Sequence, residues 1–482
     1  MEKSQLGEAA GSASSAPVPL SFTRILTGIR ILVLALLPTY VSNRLRPRAS
    51  SEEQRPARVF PTSYLDGIRG LFAVLVFVHH VIIPWRKSAS MGYGADVPHV
   101  ADNYSIFKLP ILKVLYSGPF VPVFYVASGF GMSYGPLKLI RKSNYEALGK
   151  ALTSSVFRRP LRLFLPPLVL TFLTALAAYH GWYSFKYDSL PGHKSKHPEQ
   201  FDTLYLQLAD WFRFVKEDLT NGFTWKKPAG EYNSNLWTIP AQFRCSMITL
   251  LVLAGLAPMR PLVRTGALVF MWAYSLRMGR WEVASYLAGI FISERKIASL
   301  ERETEESDSL LPMTTGEVPR LSRKWKIVMW RLMFIAGLYC GSFPRVHADV
   351  ALKTPGFAWM VPITGSWDYW HSFSATLIIW SVGNDPLLQK FFTLAPIRYV
   401  ADLSFSIYLV HGPLLHWFGW ALVPTCLSFT GKQTNLQHSS GIALAVALLL
   451  PIVLWVADVF NRFVEKPCGV FAGKIEAVLL KN

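Results

Sequence analysis

Long apolar runs alternate along this chain with short, mostly basic connections. The best-formed runs are 65–83, 160–180, 237–256, 262–278, 325–342 and 441–460. Polar residues or prolines interrupt four others, 114–134, 281–295, 371–383 and 398–422. Most are close to the length that carries a helix across a bilayer, so the pattern predicts an all-α, polytopic membrane bundle of about ten helices. An earlier run, 22–41, is flanked by Arg24, Arg30, Arg44, Arg46 and Arg48, which predicts an interfacial or extra helix. Pro119, Pro122, Pro166 and Pro167 are expected to kink or end helices.

Two connections are long. Residues 181–235 are polar and aromatic, with Trp182, Tyr183, Trp211 and Trp225, and read as an ordered extracytoplasmic cap. Residues 297–322 are acidic and poor in aromatics, and read as a disordered cytoplasmic loop. Residues 1–20 are Ala/Ser-rich and lack the order of a secretory signal. The expected organisation is a disordered tail and basic helix over 1–59, a membrane domain over 60–468 and a C-terminal tail over 469–482.

Basic residues crowd 44–58, 138–162, 320–326 and the C-terminus, and placing them on the cytoplasmic side gives a consistent alternation of spans. The loop 84–109 and the cap then face outward or into a lumen. Asn103-Tyr104-Ser105 in that loop is a glycosylation acceptor by pattern.

Composition supports a membrane chain. Hydrophobic residues make up 51% of it, and 49 Lys and Arg outnumber 30 Asp and Glu. The cations flank apolar runs and form no single solvated patch, which argues against a nucleic-acid partner. Cys245, Cys340, Cys426 and Cys468 show no metal-ligand spacing and are expected as free thiols, with no metal.

Against this background, ionisable residues within apolar runs stand out, because charge at membrane depth is costly and usually functional. The run from Tyr64 to His80 carries Asp66, Arg69, His79 and His80. Arg69 and His80 share one helix face about 16 Å apart, while His79 points about 100° away. An arginine and a histidine on one stripe can hold an anion at one end and move a proton at the other. The blander readings are a snorkelling anchor for Arg69 and a core histidine bonded to a carbonyl for His80. Asp66, one turn before Arg69, can orient it.

Arg159 and Arg162 share a face and suit a phosphate, although positive-inside charge alone also explains them. In 122–130, Ser128 and Gly129 permit close helix contact. The segment 235–243, with Trp237 and Gln242, is an aromatic and polar helix start. In 403–411, Ser404, Tyr408 and His411 lie on nearby faces, either satisfying one another or lining a cavity. Serine-hydrolase elbows, zinc-protease motifs, phosphate-binding loops and a His-x-x-x-Asp acyltransfer motif do not occur.

Taken in order, these segments resemble the acyltransferase-3 family of integral membrane acyltransferases. Leu65-Asp-Gly-Ile-Arg-Gly followed by His80 resembles its Arg-x10-His signature, and Phe124-Tyr-Val-Ala-Ser-Gly-Phe130 its second-helix motif. Arg159-Pro-Leu-Arg162 resembles its Arg-x-x-Arg pair, and Ser404-Phe-Ser-Ile-Tyr-Leu-Val-His411 its late Ser-x-Tyr-Leu-x-His block. Leu236-Trp-Thr-Ile-Pro-Ala-Gln-Phe243 is similar to the Trp-x-Leu-x-x-Glu-Phe block, with Gln242 where many relatives have Glu, so a carboxylate role does not carry over. The variants, including Phe463-Val-Glu-Lys-Pro467, look most like fungal members.

The resemblance implies transfer of an acyl group, commonly acetyl from acetyl-CoA, to a hydroxyl. It assigns His80, Arg69 and Asp66 to catalysis, and Arg159, Arg162 and Ser128 to the donor. Trp237, Gln242, Tyr408 and His411 fall to the acceptor. The expected acceptor is a membrane-partitioning secondary metabolite, with a glycan or sterol as alternatives. Pathway partner enzymes and an endoplasmic-reticulum or other endomembrane setting are also expected. With no hydrolase-like domain appended, transfer is expected to finish within the membrane domain. The competing class is a transporter of an anionic or acylated small molecule that uses the same charges as a relay.

Overall fold

The computed structural model describes residues 36–39, 41–42, 60–95, 104–185, 190, 197–225, 230–309 and 320–479. Two units separate, 1–55 and 56–482. In the first, only short helical turns within 36–42 are described. The expected tail 1–20, most of the 22–41 helix and Asn103 therefore lie outside the described residues.

The second unit is all-α, with no strand among the described residues. Its helices are α1 (Ser63–Ile82), α2 (Phe120–Arg141), α3 (Tyr145–Tyr179), α4 (Leu204–Phe214), α5 (Thr238–Leu256) and α6 (Pro261–Arg277). There follow α7 (Trp281–Ser309), α8 (Arg320–Gly341), α9 (Ala348–Leu352), α10 (Trp367–Val382), α11 (Pro386–Phe392) and α12 (Ala395–Asp402). The last are α13 (Ser404–Leu414), α14 (Trp420–Thr430), α15 (Asn435–Phe460) and α16 (Lys466–Leu479). Four helical stretches among the described residues, Ser63–Ile82, Tyr145–Tyr179, Ser234–Leu256 and Asn435–Leu479, are long and apolar enough to cross a membrane.

Helices cover the predicted apolar runs, with shifted ends. The interrupted run 398–422 divides into α12 and α13, and α13 continues through a π-helical turn, Leu415–Gly419, into α14. Pro413 lies inside α13 just before that turn. Its missing N–H loosens the hydrogen-bond ladder there. Pro160, Pro166 and Pro167 do not end α3, which continues for 35 residues. The carbonyl of Pro167 accepts from Thr171 Oγ1 at 2.8 Å, and that hydroxyl accepts from Trp211 Nε1 on α4 at 3.1 Å. The described part of the 181–235 segment is thereby tied to the bundle.

The loop expected to be disordered over 297–322 is helical at both ends, as α7 reaches Ser309 and α8 begins at Arg320. Residues 310–319 lie outside the described residues. Ion pairs explain the extension of α7. Glu294 Oε1 accepts from Arg141 Nη1 at 2.7 Å and Arg264 Nη2 at 2.6 Å, and Arg141 Nε reaches Glu301 at 2.7 Å. Isolated charge would favour a solvated coil, but three helices meet at these carboxylates. The segment expected as a C-terminal tail is also helical, and α16 packs on α3.

The main core cluster runs from α1 to α15, and a second, smaller one gathers Cys340, Phe343, Ala351, Phe357, Met360 and Trp370 around α8–α10. α2 and α7 touch most intimately, because Gly129 and Gly289 face each other's backbones. A Cβ on Gly129 would lie 2.3 Å from the Tyr286 carbonyl oxygen, and one on Gly289 2.3 Å from that of Val126. This is close packing of the kind expected for the Ser128-Gly129 segment. The four cysteines are free, with Cys245, Cys340 and Cys426 buried.

Candidate functional site

The centre is built on the last turn of α1 and on α13. His411 Nδ1 lies 2.9 Å from the carbonyl oxygen of Ile407, one turn earlier. A carbonyl only accepts, so Nδ1 carries the proton and Nε2 the lone pair. Asn235 Nδ2 donates to that Nε2 at 2.9 Å, and His80 Nδ1 lies 3.2 Å from it. His80 Nδ1 is therefore the donor toward His411, which leaves the His80 lone pair on Nε2. Among the described residues Nε2 has no protein hydrogen-bond partner. The two imidazoles stack, with centroids 5.2 Å apart and planes 26° apart. Trp420 Nε1 donates to the His80 carbonyl at 3.1 Å, satisfying an otherwise orphaned group at the helix end.

Asparagines before α5 hold this pair in place. Asn233 Nδ2 donates to the Leu409 carbonyl at 3.0 Å, and Asn233 Oδ1 accepts from the Asn235 backbone N–H at 3.1 Å. Tyr408 donates to the Asn235 carbonyl at 2.6 Å, and Thr238 Oγ1 lies 2.7 Å from the same phenol. Gly412 makes the approach possible, because a Cβ there would lie 2.6 Å from Asn233 Oδ1 and 2.8 Å from Asn235 Nδ2.

His79 is bound differently. Its Nδ1 donates to the Tyr116 carbonyl at 2.7 Å, and its Nε2 faces Arg345 Nη1 at 3.2 Å. Arg345 Nη2 also donates to the Gly118 carbonyl at 2.7 Å. Burial lowers the Arg345 guanidinium to about 10, opposed by nearby Asp368, so it stays charged near neutrality. Both ring nitrogens of His79 are committed to structure.

Two connected cavities approach the pair. A narrow one is lined by Arg69, Val121, Phe124, Ser128, Thr238, Gln242, Ser404, Phe405 and Tyr408. It shares Arg69, Ser128, Gln242 and Phe405 with an open groove of about 2170 Å³. The groove carries Arg69, Arg158, Arg159, Arg162 and Lys466 against a single lining acid, Glu465. Glu465 Oε2 accepts from Ser406 Oγ and from Asn461 Nδ2. Arg159 Nε donates to Ser246 Oγ at 3.1 Å. Tyr408, one of the residues lining the narrow cavity, has its ring centroid 5.9 Å from that of His411. An elongated molecule with an anionic head could place the head in the groove and its far end beside the imidazoles.

Most of the residues singled out in the sequence converge here. His80 and His411 form the pair, and Tyr408 lines the narrow cavity. Arg69, Ser128 and Gln242 lie at the junction, and Arg159 and Arg162 line the groove. Asp66 and Trp237 line neither cavity. Asp66 is 64% exposed and 3.5 Å from Arg69 Nη1, a spacing that contributes about 0–1 kcal/mol in solvent. Trp237 stands edge-on to Trp281 at 6.5 Å. Sequence patterns did not single out Asn235, Thr238, Arg158, Glu465, Lys466 or Arg345. Only the polar start of 235–243 hinted at the first two.

A family model described as an acyltransferase domain, of the acyltransferase-3 type, matches residues 62–462. The chain is 28% identical over 448 residues to the O-acetyltransferase PaAT-1 of Phomopsis amygdali, covering 87% of this chain and 86% of that protein. It is 26% identical to the acyltransferase clz18 of Cochliobolus lunatus, covering 84% and 94% of the two chains. It is similarly 26% identical to the acyltransferase R4 of a Phoma species, covering 85% and 94%. No solved structure matches it.

Proposed function

The chain belongs to the acyltransferase-3 family, and on that premise we propose that this membrane acyltransferase moves acetyl from acetyl-CoA to a hydroxyl of a small-molecule acceptor, with His80 as general base. One observation carries the reading. A cationic groove shares Arg69, Ser128, Gln242 and Phe405 with a narrow cavity that reaches Tyr408, whose ring lies 5.9 Å from His411 of the imidazole pair.

The phosphates of the donor lie against Arg158, Arg159, Arg162 and Lys466, which bind them by charge-assisted hydrogen bonds. The pantetheine arm passes Arg69, Ser128 and Gln242, and the thioester lies near Tyr408. His80 Nε2 takes the proton of the acceptor hydroxyl as its oxygen bonds to the thioester carbonyl carbon. The positive charge on His80 is shared with the His411 lone pair through Nδ1–H. Collapse of the tetrahedral intermediate breaks the C–S bond, and the departing thiolate takes the proton from Nε2. General-base assistance of this kind is worth about 10²–10⁴-fold.

The basic residues of 138–162, 320–326 and the C-terminus support a groove on the cytoplasmic side, within reach of cytosolic acetyl-CoA, in the ten-span endomembrane protein of this proposal. A relative named as an O-acetyltransferase supports acetyl as the group moved. A fungal secondary metabolite is the proposed acceptor class.

Metabolite profiles of a strain with and without the gene should differ by one compound and its acetylated form. Purified protein should release CoA from acetyl-CoA only when that compound is added. A transporter would move the compound without consuming acetyl-CoA, and such a result would overturn the assignment.

A further inference from the structure

The donor groove has a wall that the family match does not include. That match ends at residue 462, whereas α16 begins at Lys466 and contributes Lys466, Gly469, Val470 and Gly473 to the lining. Gly469 and Gly473 are one turn apart and therefore share a face. Among the described residues, a Cβ on either would meet no atom within 4 Å, and the same is true of Gly131, which lines the groove from α2. A glycine inside a helix costs about 0.5–1 kcal/mol relative to alanine. At Gly129 and Gly289 close packing explains the glycine. At Gly469 and Gly473 no protein contact does, and what the missing side chains leave is room in the groove.

Opposite α16, the groove is lined by Ser154, Ser155 and Arg158 of α3. Arg158 Nε is 3.4 Å from Glu476 Oε2, so the guanidinium lies beside α16 with a carboxylate next to it. Flat glycine faces, short hydroxyls and a guanidinium suit a planar, hydrogen-bonding ring system with phosphates attached. Tyr408, where the acyl group must react, lines the narrow cavity and not the groove.

We infer that α16 is part of the donor site, and that the adenine nucleotide of the CoA donor lies between α3 and the Gly469–Gly473 face. This rests on the donor reading above and extends it to a segment that the sequence placed outside the catalytic domain. The slot would set a preference for nucleotide-bearing donors over bare pantetheine thioesters.

Cysteine protection tests the placement without relying on activity. In the full-length protein carrying Cys468→Ser, Gly473→Cys is labelled with a water-soluble maleimide, and Val478→Cys serves as an exposed control off that face. Binding of CoA is measured on the same samples. With CoA at about a hundredfold over its Kd, labelling at position 473 should slow about 100-fold, because only the free fraction reacts. Adenosine 3′,5′-bisphosphate should protect as well, pantetheine should not, and position 478 should stay reactive. CoA binding without protection at 473, or equal protection by pantetheine, would overturn the inference alone. Absence of CoA binding to the wild-type protein would instead remove the donor reading on which it stands.

Discussion

Asn235→Ala is the sharpest perturbation of the imidazole pair. It removes the Nδ2 donor, 2.9 Å from His411 Nε2, and leaves the backbone carbonyl that accepts from Tyr408. The Asn233 bond to the Leu409 carbonyl is untouched. The damage is confined to one buried hydrogen bond whose acceptor stays behind, a loss of about 1–3 kcal/mol. Spent on the geometry of the His80–His411 pair, that is about 5–150-fold in kcat/KM. Asn235→Asp keeps the size and removes the donor, so it should lose at least as much. The measurement is CoA thiol release from acetyl-CoA, with the compound identified by profiling as acceptor. Thermal unfolding of each variant separates misplacement from misfolding. His411→Ala already removes the acceptor of this bond, so adding Asn235→Ala to it should cost little more. Wild-type kcat/KM in Asn235→Ala, or losses that add in the double variant, would refute the argument that Asn235 acts through His411.

His80→Ala should lower turnover about 10²–10⁴-fold with little change in thermal stability. His79→Ala should do the reverse, because it strands the buried Arg345 and Tyr116 groups, and equal kinetic loss from both would contradict the assignment. Arg162→Ala should raise the KM for acetyl-CoA about tenfold or more while leaving that for the acceptor unchanged. An equal fall in affinity for a donor lacking phosphates would remove the phosphate role. Gly289→Leu should prevent α2 and α7 from closing and abolish folded protein in detergent, read by size-exclusion chromatography. A monodisperse variant with wild-type melting would contradict the packing argument. A protease site placed at Thr314 should be cut only from the cytoplasmic side of sealed microsomes, and replacing 310–319 with Gly/Ser should preserve activity. Cleavage from the luminal side would invert the proposed orientation.

The helices were legible because a bilayer admits little besides apolar stretches of a fixed minimum length, and the chain displays them. His80, Arg69 and the Arg159–Arg162 pair were legible for the same reason, since charge within such stretches needs a function or a partner. The extension of α7 to Ser309 was not. Composition reports the solvation of an isolated segment, whereas Glu294 and Glu301 are held by arginines from α2 and α6.

The sequence by itself determined an all-α membrane protein and its family, and it singled out His80, His411, Arg69, Arg159 and Arg162 as candidates. It also determined that His79 and His80 face different ways, because helical periodicity is local. Only the tertiary structure decided which nitrogen of His80 is free, since that depends on His411 and Asn235, residues 331 and 155 positions away in the chain. It alone decided that Asp66 stands outside both cavities and that α16 forms a groove wall. Contacts between distant segments depend on how helices pack, and no single segment carries that information.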